Sequence, residues 1–364
     1  MRPVNIPKSA EIGRIAKVLV EHSARVKKGD YVQIVAGIPA RDLILEVYKK
    51  CIQKGAYPIV KVDFEGIGYN YYKFASEEQL RHFPAIAYAE MKNTDAIIYI
   101  VAPENRYELA TIPPKPLILR QKITKKISDE RLRKKWVIFD YPVEDFAREA
   151  RMPLKKYRKF VFDACLQDWK KLEVFMKKVK KVIDLGSQVR IKSKDTDLTF
   201  GIKGRLGAVG NGIFNMPDGE VWTSPEENTT EGYITFTYPK EYMGRMIEGI
   251  RLEFRKGKVV KAYARKNLDL LNSMLDTDAG ARKLGELGIG CNFKIQRFTN
   301  NLLFDEKIGG TIHLALGNAY KGCNGKNESA VHADIVKELR PSHGGNGEVW
   351  VDDKLLIKDG KFFI

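Results

Sequence analysis

The chain has 364 residues, 44% hydrophobic and 30% charged, which is enough material for a large core and leads us to expect two domains. Its longest apolar run, Ala96-Ile-Ile-Tyr-Ile-Val-Ala102, is the length of a buried strand and far short of a bilayer span. The net charge of +17 brings nucleic acid into view, but from Gln188 onward 26 basic residues face 23 acidic ones, so the excess sits in the first half.

Residues 1–8 have no apolar run, which argues against a secretory leader and for the cytoplasm. Cys51, Cys165, Cys291 and Cys323 are scattered with no C-x-x-C pair, as expected of free thiols in a reducing compartment.

In chain order, apolar residues at Ile12, Ile15, Ala16, Leu19 and Val20 predict a helix over 10–25. A turn at 27–30 leads to a strand over 31–36. A helix over 40–53 with Gly55 as its stop, a strand over 57–63, a helix over 77–91 and strands over 95–101 and 136–140 follow. This alternation predicts a layered α/β domain with a mostly parallel sheet. The turn after the first strand, Gly37-Ile-Pro-Ala-Arg-Asp42, matches neither dinucleotide nor P-loop fingerprints, so the layer is scaffold rather than nucleotide site. Residues 154–183 read as one long basic helix. Its aromatics, with Trp136 before it, recur at helical spacing and read as core rather than base-stacking platforms.

After this helix the texture changes to period-two alternation and frequent glycine. Strands are expected over 188–193, 196–201, 234–238, 249–254 and 259–264, helices over 268–275 and 279–287, and a closing hairpin over 348–358. The predicted fold class is therefore α/β and α+β. An N-terminal α/β domain over 1–185 precedes a C-terminal α+β domain over 186–364.

Three of the five histidines lie in the last third. His332-Ala-Asp334 places an imidazole and a carboxylate on one face if the segment is a strand. His313 sits in an apolar run, where an unpartnered imidazole is costly. Glu220 and Glu286 are solvated by default, and Glu286 falls in the helix expected over 279–287. Together these residues supply three carboxylates and two imidazoles, a donor set suited to two divalent ions such as zinc or cobalt, with manganese or magnesium also possible. His343, in a Ser-His-Gly-Gly loop, is left facing solvent. No H-E-x-x-H and no G-x-S-x-G motif occurs.

Several stretches resemble the thermophilic-type metallo-aminopeptidases of peptidase family M29. They are Asn215-Met-Pro-Asp-Gly-Glu-Val-Trp-Thr-Ser-Pro225, Leu275-Asp-Thr-Asp-Ala-Gly-Ala-Arg-Lys-Leu-Gly-Glu286, Leu303-Phe-Asp-Glu306, His313-Leu-Ala-Leu-Gly-Asn-Ala-Tyr320 and Ser329-Ala-Val-His-Ala-Asp334. The N-terminal Val26-Lys-Lys-Gly-Asp30 and Lys54-Gly-Ala-Tyr-Pro58 are similar but less specific. The resemblance implies Glu220, Glu286, His313, His332 and Asp334 as metal ligands and Tyr320 as the active-site tyrosine. It implies a homodimer with sites between domains, releasing N-terminal amino acids from peptides, with Glu220 or Glu286 shuttling a proton. Trp222 stands where the family more often has Phe. The readings from other classes are a basic nucleic-acid-binding protein on an inactive peptidase scaffold, and a metal-dependent hydrolase of another small amide. Peptides with a free N-terminus are the expected partners, with neither membrane nor nucleic acid.

Overall fold

The computed structural model describes residues 10–364. The absence of a leader expected from residues 1–8 falls outside the described residues. Contacts divide the chain into two compact units. The first runs to Gln167 and takes back Gly212–Pro217; the second comprises Asp168–Asn211 and Asp218–Ile364.

The first unit is built on a five-stranded parallel sheet. Its order is Tyr57–Asp63, Tyr31–Gly37, Ala96–Val101, Lys135–Asp140 and the short Asn215–Met216. The strand Ala96–Val101 is interior to the sheet, and Ala96, Ile97, Ile98 and Ile100 are buried. A continuous apolar run is what a strand covered on both faces requires. The edge strand Tyr57–Asp63 is largely exposed.

The helix expected over 77–91 is two helices, Glu77–Arg81 and Ala85–Lys92. Pro84 separates them, since proline disfavours helical backbone in the residue before it. A helix not expected from periodicity spans Pro114–Arg131; none of its residues is buried, so there was no apolar stripe to read. The basic helix expected over 154–183 is also split, into Leu154–Cys165 and Trp169–Leu185. Asp168 caps the second by accepting from the Lys171 backbone N–H. Of the aromatics here, Tyr157, Phe162 and Trp169 are buried, as core residues should be.

The second unit holds an eight-stranded antiparallel sheet in the order Lys258–Tyr263, Arg251–Arg255, Glu231–Thr235, Thr196–Gly201, Gln188–Ser193, Glu348–Val351, Lys354–Lys358, Lys361–Phe362. It also holds a five-stranded antiparallel sheet in the order His332–Lys337, Ile312–Gly317, Leu284–Gly290, Glu220–Thr223, Ala208–Gly210. The helix Trp169–Leu185 packs on the Ala208–Gly210 and Glu220–Thr223 strands of the latter. A parallel α/β layer and an antiparallel α+β assembly agree with the fold class read from the sequence.

The helix expected over 279–287 does not form. That segment turns through Gly280 and becomes the strand Leu284–Gly290. A Cβ at Gly280 would stand 2.0 Å from Glu328 O, and one at Gly285 would stand 2.4 Å from Asn318 O. Backbones approach here too closely for side chains, and glycine allows that approach while also weakening a helix. No helix among the described residues is long and apolar enough to cross a membrane.

Candidate metal centre

The five-stranded antiparallel sheet sorts its side chains by face. Val221, Leu287, Ile289, Ile312, Leu314, Leu316 and Ile335 share one face and are buried. The other face carries Glu220 and Trp222, Glu286 and Gly288, His313 and Ala315, and His332 and Asp334. Registers fix the alignment: Gly288 lies opposite both Trp222 and His313, Ala315 lies opposite both Glu286 and Asp334, and Gly317 lies opposite His332. Glu286 reaches this face by ordinary alternation with Gly288, and the register shift between Leu284 and Glu286 places Leu284 on the apolar face instead.

The five residues expected as ligands therefore converge. His313 Nε2 lies 3.6 Å from Glu220 Oε2 and 3.5 Å from Glu286 Oε1. His332 Nε2 lies 3.1 Å from Glu286 Oε2 and 3.4 Å from Asp334 Oδ1. Glu286 thus offers one oxygen to each imidazole. His332 Nδ1 faces Asn318 O at 2.9 Å, which orients the ring.

Among the described residues, three donor groups could each hold an ion: Glu220 with Glu286 and His313, Glu286 with His332 and Asp334, and Glu306 with His313 and Asp334. Glu220 Oε2, His313 Nδ1 and Asp334 Oδ1 are buried and make no hydrogen bond. Unpaired carboxylate oxygens of Glu220 and Asp334 among clustered acids fit a divalent cation, which would satisfy them and offset their charge.

Charge is already strained here. Burial pushes the Glu220 carboxyl up to about 7; Lys307 opposes that rise, and Glu306 adds to it. Burial disfavours a charged His313, yet the carboxylates of Glu286 and Glu220 raise its pKa to about 10. Burial likewise works against His332, which Asp334 and Glu286 raise to about 11. Burial opposes ionisation of Asp334, but the His332 imidazole holds it well below the usual carboxylate range. The acids thus keep both imidazoles protonated when no other cation is present.

Tyr320 follows the strand Ile312–Gly317 by three residues. Its backbone N–H donates to Ser224 Oγ, and Asn327 Nδ2 ties the loop to Gly317 O and Gly280 O. Tyr320 is 43% exposed, and its ring lies 5.3 Å from the His332 ring in an edge contact and 6.0 Å from Trp222. Burial, then the carboxylates of Glu286 and Asp334, hold its phenol above the usual range, so it stays a donor. Asp278 ties two strand entries together. It accepts from the backbone of Gly280, Ala281 and Ala330 and from Ser329 Oγ.

Sequence reading assigned no role to Glu306 or to Lys307. The signal was present, because Leu303-Phe-Asp-Glu306 is one of the stretches that carry the resemblance, but the expected ligand set ended at five. Lys307 is 1% exposed, lies 3.3 Å from Glu220 Oε1 and pairs with Glu306. His343 is exposed and belongs to none of the donor groups.

A family model described as thermophilic metalloprotease (M29) matches residues 8–362. Aminopeptidase 2 of Geobacillus stearothermophilus is 34% identical over 165 residues, which is 40% of this chain and 37% of that protein. Aminopeptidase AmpS of Bacillus subtilis is 25% identical over 373 residues, covering 91% of this chain and 89% of its own. The solved structure of wild-type AmpT from Thermus thermophilus has a TM-score of 0.82 to this chain at 24% identity, covering 98% of this chain and 99% of the other. At that identity the likeness speaks to the fold.

Proposed function

Because the chain belongs to the thermophilic metalloprotease family M29, we propose that it is an aminopeptidase that removes N-terminal amino acids from peptides. The observation that carries this reading is the convergence of Glu220, Glu286, His313, His332 and Asp334 on one sheet face, with three of their buried polar atoms unsatisfied. The names of the relatives point to the same activity.

In this reading Glu220, Glu286 and His313 would hold one divalent ion, and Glu286, His332 and Asp334 would hold a second. Zinc or cobalt suits mixed imidazole and carboxylate donors, and manganese or magnesium remains an alternative. When bound, such ions polarise a carbonyl and supply a nucleophile near neutral pH. Glu220 or Glu286 moves the proton between nucleophile and leaving amine. The Tyr320 phenol donates a hydrogen bond to the oxygen that gains charge as the scissile carbonyl becomes tetrahedral. Trp222 and Tyr320 wall the space beside these groups.

Catalysis belongs to the domain proposed over 186–364, with 1–185 as the N-terminal domain. The active species is proposed as a cytoplasmic homodimer, in keeping with four buried free cysteines. The test is aminoacyl-anilide hydrolysis before and after chelation, with metal content measured in parallel. Turnover that survives complete removal of metal overturns the reading, as does a metal-loaded protein inert towards every free N-terminus. Sedimentation reports the oligomeric state.

A further inference from the structure

Lys307 is among the largest fully buried side chains of the chain, and it sits among carboxylates that the proposed mechanism uses. A buried ammonium is costly unless its partners are close and well arranged. Its backbone is fixed on both sides: Lys307 N donates to Phe304 O at 3.0 Å, and Lys307 O accepts from Asn292 N at 3.0 Å. The side chain thus projects to the acids from a rigid turn.

Its placement divides the Glu220 carboxylate. Oε1 faces Lys307 Nζ at 3.3 Å, while Oε2 faces His313 Nε2 at 3.6 Å and has no hydrogen bond. Lys307 also pairs with Glu306, whose carboxylate forms a donor group with His313 and Asp334. Four carboxylates therefore crowd one buried face. Like charges at such separations repel strongly where water is excluded. An ammonium behind them offsets one charge and leaves Oε2 of Glu220 directed at the ion position.

We propose that Lys307 is the resident counter-cation of the candidate metal centre, holding Glu220 and Glu306 together before metal arrives. The inference rests on the metallo-aminopeptidase reading. It assigns Lys307 an electrostatic role acting through Glu220 and Glu306, not a packing role and not contact with substrate.

The test compares thermal melting of chelator-stripped protein with and without added zinc, for wild type and Lys307→Met. Methionine keeps length and apolar contact but removes the charge. Stripped K307M is expected to melt lower than stripped wild type. The zinc-induced rise is expected to exceed that of wild type by at least about 3 °C, because zinc then also relieves repulsion that Lys307 otherwise offsets. A packing role would lower stripped and loaded proteins equally, so an equal or smaller rise overturns the proposal. If K307M gives no folded protein, the double variant E306Q/K307M decides. Recovery on removing one acid supports the charge role, and failure of both overturns it. No zinc-induced rise in wild type would instead overturn the metal reading, and the Lys307 role would fall with it.

Discussion

The His313 imidazole lies directly over Gly288, the residue opposite it on the neighbouring strand. A Cβ at 288 would stand 1.9 Å from His313 Cε1 and 2.0 Å from Nε2. The missing side chain lets the ring reach across one strand towards Glu220 on the next. Gly288→Ala is expected to displace the ring from Glu220 and Glu286, lower bound metal and reduce turnover about 100-fold or more, since an ångström of misplacement costs that much. Metal analysis and anilide kinetics check it; full metal content with full turnover would refute the assignment.

Glu286 offers one oxygen to each imidazole. Glu286→Gln keeps the shape and removes the charge that both candidate ions would share. Metal stoichiometry is expected to fall and kcat/KM to drop by at least about 100-fold, beyond the effect of losing an outer hydrogen-bond partner. Unchanged metal content and turnover would remove Glu286 from the site.

Tyr320→Phe separates binding from chemistry. The phenyl ring keeps the contacts with Trp222 and His332 while the donor is lost. The expected result is a kcat lower by about 100- to 1000-fold, as for loss of one oxyanion donor, with KM and metal content near wild type. A change confined to KM would make Tyr320 a pocket wall only.

The histidines set a pH dependence for the metal-free protein. Their folded pKa values are raised to about 10 and about 11, against roughly 6.5 for a free imidazole. For a base raised on folding, the associated stability is fully present below the unfolded pKa and is lost as pH rises through the folded one. Stripped protein is therefore expected to lose melting temperature progressively from about pH 6.5 to 10 and above. Metal-loaded protein, whose ligand imidazoles are neutral, is expected to show less of this loss and to release protons as metal binds. Melting curves across pH and calorimetry in two buffers check both; no proton release would contradict displacement of imidazole protons.

Much of the site was legible in the sequence because His332-Ala-Asp334 has strand spacing, and because the donor types were few and sat in distinctive stretches. Glu286 was legible as a residue but not as a strand position. Gly280 and Gly285 permit close backbone approach, and a linear pattern cannot report approach between segments distant in sequence. The split at Pro84 was readable in principle, since proline disfavours helix before it. The helix Pro114–Arg131 was not, because it buries no residue and so lacks a periodic stripe.

The sequence alone determined five of the candidate donors, the alternation that makes a parallel layer, and the change to antiparallel texture beyond it. These depend on composition and local period, which neighbouring residues fix. Only the tertiary structure decided that Glu220, Glu286, His313, His332 and Asp334 share one sheet face, that Gly288 makes room for His313, and that Glu306 and Lys307 join them. Strand register sets which side chains meet, and register arises from pairing between segments dozens of residues apart.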